Sequence, residues 1–262
     1  MIFELDGQPV FAAGRLVAGN GAPPVVLIHG AAMDHTVWVY HTRYFMHIGR
    51  GVIALDLPGH GRSGGEPLTT IEAMADWVLR CLDALGVGEA ALAGHSMGAL
   101  VALEAAGRAP ARITRLALLG AAFPMPVSDL LLNAAKADAP EARDMMMIWG
   151  HGPAAQYGAN PVAGIHIVNY ATRLLEKARP GLLHADLKAC NDYAHGVEAA
   201  GQVKARTTLI CGVDDRMTPV SAAKQFAGAL GGCSVATIAG SGHIMMSEQP
   251  EATHRHLVAA VA

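Results

Sequence analysis

One stretch of this sequence, residues 89–108, constrains the fold more than any other. It begins with a short apolar run at 90–93, which predicts a buried strand, and it ends in residues that favour helix. Gly94-His95-Ser96-Met97-Gly98 joins the two, so the chain must pass from strand to helix at Ser96. Such a turn is sharp and strained, and glycines two positions before and after the serine leave room for it. The stretch therefore predicts a strand–turn–helix unit that exposes the Ser96 hydroxyl at a helix N-terminus.

The same pattern, G-x-S-x-G, occurs a second time at Gly61-Arg62-Ser63-Gly64-Gly65. There it is followed by Glu66 and Pro67, and no helix can begin directly after the serine. The context thus predicts a loop around Ser63 and a reactive hydroxyl at Ser96. The alternative for Ser96 is a small residue that only caps its helix.

Strands and helices alternate on both sides of this unit. The first half predicts a hairpin of residues 2–5 and 9–15, then strands at 24–28, 52–55, 90–93 and 113–119, with helices at 36–48 and 70–85 between them. The alternation resumes with strands at 207–211 and 234–238 and helices at 221–229 and 248–262. This order is typical of a parallel sheet covered on both faces.

The alternation stops between these halves. Residues 124–196 contain helical patches at 129–137 and 170–178 but no predicted strand. We therefore expect a core made of residues 1–123 and 197–262, with a mostly helical insertion, residues 124–196, between two strands of one sheet.

Composition narrows the class of protein. The 262 residues are 52% hydrophobic and 16% charged with a net charge of −3, which favours a large core and argues against a nucleic-acid partner. The first ten residues carry two acids and no base, so no secretory signal is expected. Glycines and prolines interrupt the uncharged stretch 145–172, so no membrane insertion is expected. Four scattered cysteines are expected to be reduced, and together these features predict a cytoplasmic protein.

A serine hydroxyl is a weak nucleophile unless a base accepts its proton, and the base is usually a histidine oriented by an acid. Both partners follow predicted strands after the insertion: Asp214 and Asp215 come after strand 207–211, and His243 follows strand 234–238. Carboxyl ends of parallel strands share one edge of the sheet, where ligands bind in open α/β folds. The sequence thus predicts a serine, an acid and a histidine at one edge, with either aspartate as the acid.

With these motifs the chain resembles the α/β-hydrolase fold superfamily over nearly its whole length. The motifs that carry the resemblance are His29-Gly30, Asp56-x-x-Gly59-x-Gly61-x-Ser63, the turn at Ser96, Gly212-x-x-Asp215-x-x-x-Pro219 and Gly242-His243. The resemblance implies a mostly parallel eight-stranded sheet with helices on both faces. It also implies that the insertion is a helical lid between strands 6 and 7.

The resemblance also implies roles for single residues. It selects Asp215 over Asp214, which gives a catalytic triad of Ser96, Asp215 and His243. Main-chain N–H groups are expected to bind the oxyanion that forms when serine attacks a carbonyl. Met97, at the helix N-terminus, would supply one and Ala31 the other, with Ala32 as the alternative to Ala31. We expect His29 to brace this loop and His95 to be a packing residue.

The insertion is expected to determine the substrate. An apolar cluster at 145–149 and a residue just after strand 113–119 predict a pocket that includes Phe123, Met146 and Trp149. The alternative is that the cluster only packs the insertion onto the core. No metal-binding motif is present in the sequence, and no cofactor is expected: His254 and His256 are two positions apart and so do not share a helix face.

These features together predict a cofactor-independent serine hydrolase that cleaves a small, largely apolar carboxylic ester through an acyl-enzyme, as a monomer or homodimer. The alternatives with the same triad are lactone or enol-lactone, thioester and C–C bond hydrolysis. An alternative of another class is a small-molecule receptor built on a hydrolase scaffold.

Overall fold

The computed structural model describes residues 1–17, 22–159 and 161–262. Within them the chain forms one sheet of eight strands: β1 (Ile2–Leu5), β2 (Gln8–Arg15), β3 (Val25–Ile28), β4 (Val52–Leu55), β5 (Ala90–His95), β6 (Ile113–Leu119), β7 (Arg206–Gly212) and β8 (Ser234–Ile238). The strand order is β1-β2-β4-β3-β5-β6-β7-β8. β2 runs antiparallel to both of its neighbours, β1 and β4, and every other pair of neighbouring strands in this sheet is parallel. The predicted mostly parallel eight-stranded sheet is confirmed.

Helices cover the sheet. They are α1 (Val39–His47), α2 (Ile71–Ala84), α3 (Met97–Arg108), α4 (Asp129–Lys136), α5 (Pro140–Gly150), α6 (Pro153–Gln156), α7 (Ile167–Glu176), α8 (Leu182–Asp192), α9 (Gly196–Gln202), α10 (Val220–Ala227), α11 (Met245–Glu248) and α12 (Pro250–Val261). α2 packs on α3 and α1 packs on α12, and each pair contacts the sheet. Every residue of β3, β4 and β5 is buried, as expected for central strands covered on both faces.

Two predicted helices begin differently in the structure. The helix expected at 36–48 begins as a 3-10 turn at His35–Trp38, capped by the Asp34 carboxylate, which accepts a hydrogen bond from the Thr36 N–H at 2.8 Å; α1 then follows. The helix expected at 248–262 begins at Pro250 as α12, and a short helix that was not predicted, α11, ends just before it at Glu248. Gln249 separates the two. This residue precedes Pro250, and a proline disfavours helical backbone in the residue before it.

Between β6 and β7 the described chain contains α4 to α9 and no strand. The helical patches expected at 129–137 and 170–178 correspond to α4 and α7, whereas the sequence did not predict α5, α6, α8 or α9. The division into a core and an insertion at residues 123/124 and 196/197 stays a prediction.

The uncharged stretch 145–172 is divided among several short helices. It covers the end of α5, the whole of α6 and the first part of α7, and residue 160 lies outside the described chain. Among the helices that the structure describes, none has the length and apolar character needed to cross a bilayer.

Candidate active site

The turn between β5 and α3 has the strained geometry expected from its sequence. Ser96 has φ 54° and ψ −118°, a backbone conformation that residues other than glycine rarely adopt. A Cβ atom at Gly94 would lie 2.0 Å from the carbonyl oxygen of Gly98. A Cβ atom at Gly98 would in turn lie 2.4 Å from the carbonyl oxygens of Ile28 and His29. Both glycines are therefore required, because larger residues would collide with backbone atoms.

Ser63, the serine of the second G-x-S-x-G pattern, lies in a different environment. Its hydroxyl is buried, accepts a hydrogen bond from the Phe11 N–H at 2.9 Å and donates one to the Asp56 carbonyl oxygen at 2.7 Å. These bonds tie β2 to the loop after β4. The loop predicted around Ser63 is present, and this hydroxyl holds two backbone segments together.

His243 and Asp215 form a buried pair at the carboxyl ends of β8 and β7. Nδ1 of His243 lies 2.8 Å from Oδ2 of Asp215. The carboxylate also accepts hydrogen bonds from the N–H groups of Met217 (2.8 Å) and Thr218 (2.9 Å) and from the Thr218 hydroxyl (2.6 Å). Asp215, and not its neighbour Asp214, thus contacts the histidine ring.

Opposing effects act on the Asp215 carboxyl. Burial alone would raise its pKa, but the adjacent His243 and the hydrogen bonds from Thr218 outweigh burial, and the net shift of the pKa is downward. The ionised carboxylate holds the His243 tautomer that carries its proton on Nδ1. The other ring nitrogen, Nε2, is buried and has no hydrogen-bond partner among the described residues. That lone pair is available to accept a proton.

Ser96 and His243 line the same cavity, of about 210 Å³. The cavity is bounded on one side by these two residues and by Ala31, which follows β3. Most of its remaining wall is apolar and comes from the segments between β6 and β7, including Met125, Leu131, Met146, Trp149 and Leu187. The structure thus brings a serine, a histidine–carboxylate pair and an apolar cavity together.

Ala31 and Ala32 differ in whether their N–H groups are occupied. The Ala32 N–H donates a hydrogen bond of 2.7 Å to Oδ2 of Asp186, and Ala32 has φ +52°. That bond leaves Ala31, which lines the cavity, as the better candidate for an oxyanion donor. Met97 is the first residue of α3, where backbone N–H groups have no acceptor within the helix. The Met97 N–H is thus the second candidate.

Two buried histidines brace the loops around the site. The His29 ring donates from Nδ1 to the Gly30 carbonyl oxygen (2.9 Å) and accepts at Nε2 from the Leu57 N–H (3.1 Å). His95, expected to be a packing residue, has its Nε2 2.9 Å from the His243 carbonyl oxygen, so this nitrogen donates. Burial lowers the pKa of each ring to about 3, and both rings are therefore neutral near pH 7.

The predicted pocket residues are only partly brought together. Met146 and Trp149 line the cavity beside Ser96. The prediction for Phe123 was wrong, because its ring packs against Tyr193 (ring centroids 5.7 Å apart) and Phe226 (6.0 Å) instead of lining the cavity. Gly196 lies against the same ring, since a Cβ atom there would be 2.3 Å from it.

Several lining residues were missed by the sequence reasoning. Leu131 on α4 and Leu187 on α8 contribute to the cavity, as does Met217 beside Asp215. Only α4 had been predicted, and its apolar run at 130–132 was the one local signal. Nothing in the sequence indicated that α8 would reach the site.

The side chains of Asp34, His35 and Asp56 are close enough together to coordinate a metal ion, because one potential ligand atom from each lies within 4.8 Å of the other two. The Asp56 carboxylate is already engaged: Oδ1 accepts from the His35 N–H (2.7 Å) and Oδ2 from the Arg62 N–H (2.9 Å). The His35 ring is a further partner, 2.9 Å from Oδ1. This cluster connects the loops after β3 and β4.

Comparison with known proteins bears on the family and the fold of the chain. The model of the alpha/beta hydrolase family matches residues 25–256. The chain is 30% identical over 249 residues to a pimeloyl-(acyl-carrier protein) methyl ester esterase of Aromatoleum aromaticum, a match that covers 87% of this chain and 94% of that protein. It is 40% identical over 121 residues to the dihydrolipoyllysine-residue acetyltransferase component of the acetoin cleaving system of Pseudomonas putida, but this match covers 44% of the chain and only 32% of that longer protein.

A solved structure is also similar. The enol-lactonase from Burkholderia xenovorans superimposes with a TM-score of 0.85 over 99% of this chain and 98% of that chain. The two sequences are 20% identical, so this likeness shows a common fold.

Proposed function

The chain belongs to the alpha/beta hydrolase family, and on this premise we propose that it is a serine hydrolase that cleaves a small, largely apolar carboxylic ester through an acyl-enzyme, without a cofactor. One observation carries the proposal. Ser96 lies on a strained turn in the wall of an apolar cavity that also contains His243, whose far ring nitrogen is hydrogen-bonded to Asp215.

In the first half of the reaction, Nε2 of His243 takes the proton of the Ser96 hydroxyl as its oxygen attacks the ester carbonyl. Asp215 stabilises the imidazolium that results. The N–H groups of Met97 and Ala31 bind the oxyanion, and each such donor contributes about 3 kcal/mol to lowering the barrier. The intermediate then collapses, and His243 gives its proton to the departing alcohol.

In the second half, a water molecule attacks the acyl group on Ser96. His243 takes a proton from this water and returns it to the Ser96 oxygen as the acid leaves. Every proton that moves is carried by His243, and the charge that develops is bound by main-chain N–H groups. No step requires a metal or an organic cofactor.

The cavity supports a small, apolar acyl group. Its volume of about 210 Å³ is below the roughly 300–1,000 Å³ of pockets that hold drug-sized ligands. Apolar side chains, methionines and leucines among them, form most of the wall, and such a wall favours alkyl or aryl groups; Arg216 is a charged side chain that also lines it. A relative whose match covers 87% of this chain is named as a methyl ester esterase, which favours an ester as the scissile group.

The test is turnover by purified protein of p-nitrophenyl esters from acetate to octanoate, beside lactones and thioesters. We expect multiple turnovers on short acyl esters, a covalent adduct of a fluorophosphonate at Ser96, and loss of both in Ser96→Ala. Ser221→Ala, an exposed serine on α10, is the matched control and should keep both.

Other outcomes would overturn the proposal. Preference for a lactone or a thioester over every simple ester would change the substrate class and leave the triad intact. A single turnover followed by a stable adduct, together with a Tm that changes when ligand is added, would indicate a receptor. Ester turnover by Ser96→Ala near the wild-type rate would refute the mechanism.

A further inference from the structure

Asp186 is a fully buried carboxylate that lies outside the triad. It is carried by α8, between β6 and β7, yet it contacts two loops at the edge of the sheet. Its Oδ2 atom accepts a hydrogen bond from the Ala32 N–H at 2.7 Å and lies 2.8 Å from Nε2 of His60. One oxygen atom thus joins a helix of the insertion to the loop after β3 and to the loop after β4.

The bonds of His60 define its protonation. Nδ1 lies 2.9 Å from the Pro58 carbonyl oxygen, which can only accept, so Nδ1 carries a proton. Nε2 faces Oδ2 of Asp186, and because a carboxylate oxygen can only accept, Nε2 also donates. With both ring nitrogens donating, His60 is an imidazolium paired with a buried carboxylate.

The surroundings of this pair agree with that assignment. Burial lowers the pKa of His60, but the Asp186 carboxylate, the Pro58 carbonyl oxygen and the more distant Asp56 raise it by more, and the net shift is upward. The His29 ring, 4.8 Å away between centroids, is neutral, because burial lowers its pKa to about 3. The Cys190 thiol on the same helix is also neutral, because burial raises its pKa.

The bond to Ala32 matters because of where Ala32 lies. It follows the proposed oxyanion donor Ala31 directly, and its φ of +52° is a conformation that costs an alanine about 1 kcal/mol or more. A strained conformation persists only where the surrounding structure holds it. The Asp186 carboxylate is the group that holds this N–H.

We propose that Asp186 is a positioning residue: through Ala32 it holds the oxyanion loop in its active conformation, and through His60 it seats α8 on the core, so the oxyanion site is complete only when α8 is seated. This inference rests on the proposed hydrolase function. Asp186 lends no atom to the reaction and acts through the Ala31 N–H.

A pH effect follows from the His60 charge. Because its folded-state pKa lies above the unfolded value of 6.5, the stability that the pair contributes is complete below pH 6.5 and is lost as the pH rises through the folded-state pKa. Neutral His60 keeps its Nδ1 proton on Pro58 and turns a lone pair toward the Asp186 carboxylate. We therefore expect kcat to fall on the alkaline side as the oxyanion loop loosens.

The test is Asp186→Asn in the full chain, assayed with a p-nitrophenyl ester. Both bonds of Asp186 end on one oxygen, and the asparagine oxygen, with two lone pairs, can still accept both. The substitution instead removes the negative charge that pairs with His60, and it places an amide NH2 group where Oδ1 of Asp186 is buried without a hydrogen-bond partner among the described residues. We expect kcat to fall by about 10- to 100-fold, as for a displaced oxyanion donor, with KM changed less than about threefold. The inhibition constant of an alkyl trifluoromethyl ketone, whose adduct with Ser96 carries the oxyanion, should rise by the same factor as kcat falls.

Asp192→Asn is the matched control. It makes the same change at an exposed carboxylate on the same helix, one that pairs with Lys188, and it should leave kcat unchanged. His60→Gln is the second variant, because glutamine can donate to Asp186 without a titrating charge. It should keep most of the neutral-pH kcat and remove the alkaline decline.

The outcomes separate this inference from the proposed function. Wild-type protein that neither turns over esters nor reacts with the fluorophosphonate refutes the function itself. Active wild-type protein whose Asp186→Asn variant keeps its kcat, or loses only affinity through KM, refutes the role of Asp186. If Asp186→Asn fails to fold, the His60→Gln variant provides the test. A decline of its kcat at alkaline pH identical to that of the wild type would overturn the inference.

Discussion

The two G-x-S-x-G serines allow one paired experiment, because the structure gives them opposite roles. Ser63→Ala removes a buried hydroxyl that bonds the Phe11 N–H and the Asp56 carbonyl oxygen, and it leaves both groups without that partner. A buried polar group left unsatisfied costs about 1–3 kcal/mol, so the variant should lose about 2–5 kcal/mol of unfolding free energy. For a domain of this size each kcal/mol lowers Tm by about 2–4 °C, which gives a fall of roughly 4–20 °C.

Ser96→Ala should do the reverse. The Ser96 side chain makes no capping hydrogen bond to α3, and alanine carries the same backbone strain as serine at φ 54°. Its Tm should therefore stay within about 2 °C of the wild type, because no buried bond is lost. Ester turnover should fall to background, since the attacking atom is gone.

The assay is thermal unfolding by calorimetry beside p-nitrophenyl butyrate turnover at 25 °C, where folded Ser63→Ala still predominates. We expect Ser63→Ala to keep turnover within about threefold, as its hydroxyl touches no part of the cavity wall near the triad. A large loss of activity in Ser63→Ala without loss of Tm, or a large loss of Tm in Ser96→Ala, would refute the reasoning from context that separates the two serines.

Three further predictions concern the triad, the turn and the cavity. Asp215→Asn should lower kcat by about 10⁴-fold, because asparagine favours the wrong His243 tautomer. The pKa of Asp215 is lowered in the folded state, so its contribution to stability is present above pH 3.8 and is lost as the pH falls further. The difference in unfolding free energy between wild type and variant, measured by urea titration, should therefore shrink from pH 5 to pH 3. Gly98→Ala should prevent soluble expression or lower Tm severely, since its Cβ would lie 2.4 Å from backbone oxygens, and a soluble variant with wild-type Tm would contradict the turn geometry. Met146→Ala enlarges the cavity. The ratio of kcat/KM for longer acyl esters to kcat/KM for the acetate ester should rise by about fourfold for each additional methylene that the cavity accommodates. An unchanged acyl-chain profile would show that Met146 does not contact the acyl group.

The sheet and the reacting groups could be predicted because their signals are local. β4 and β6 have the predicted bounds, because each ends in an apolar run, 52–55 before Asp56 and 116–119 before Gly120. A general rule predicted that His243 would lie near one of the two aspartates, because residues after neighbouring parallel strands share one edge, and the resemblance to the α/β-hydrolase superfamily selected Asp215. The rule itself needs only strand order and chain direction.

The cavity wall could not be predicted in the same way. Phe123 follows β6 as the pocket hypothesis required, but its ring is held by Tyr193 and Phe226, which lie 70 or more positions later in the sequence. Asp186 gave no local signal either: it is a charged residue in an amphipathic stretch, where the usual expectation is exposure to solvent. Its burial depends on partners 126 and 154 positions away.

The contacts of the segment between β6 and β7 with the rest of the chain argue against its being an independent flap. The His243 N–H donates to the carbonyl oxygen of Gly150, the last residue of α5, at 2.9 Å. Buried Glu248 accepts from the Gly152 N–H (2.8 Å) with one carboxylate oxygen and from the Gly242 N–H (3.0 Å) with the other. The segment between β6 and β7 is thus bonded beside His243, just as Asp186 bonds it beside Ala32 and His60. Any motion that lifts all of these helices together must break the hydrogen bonds at His243, at Glu248 and at Asp186.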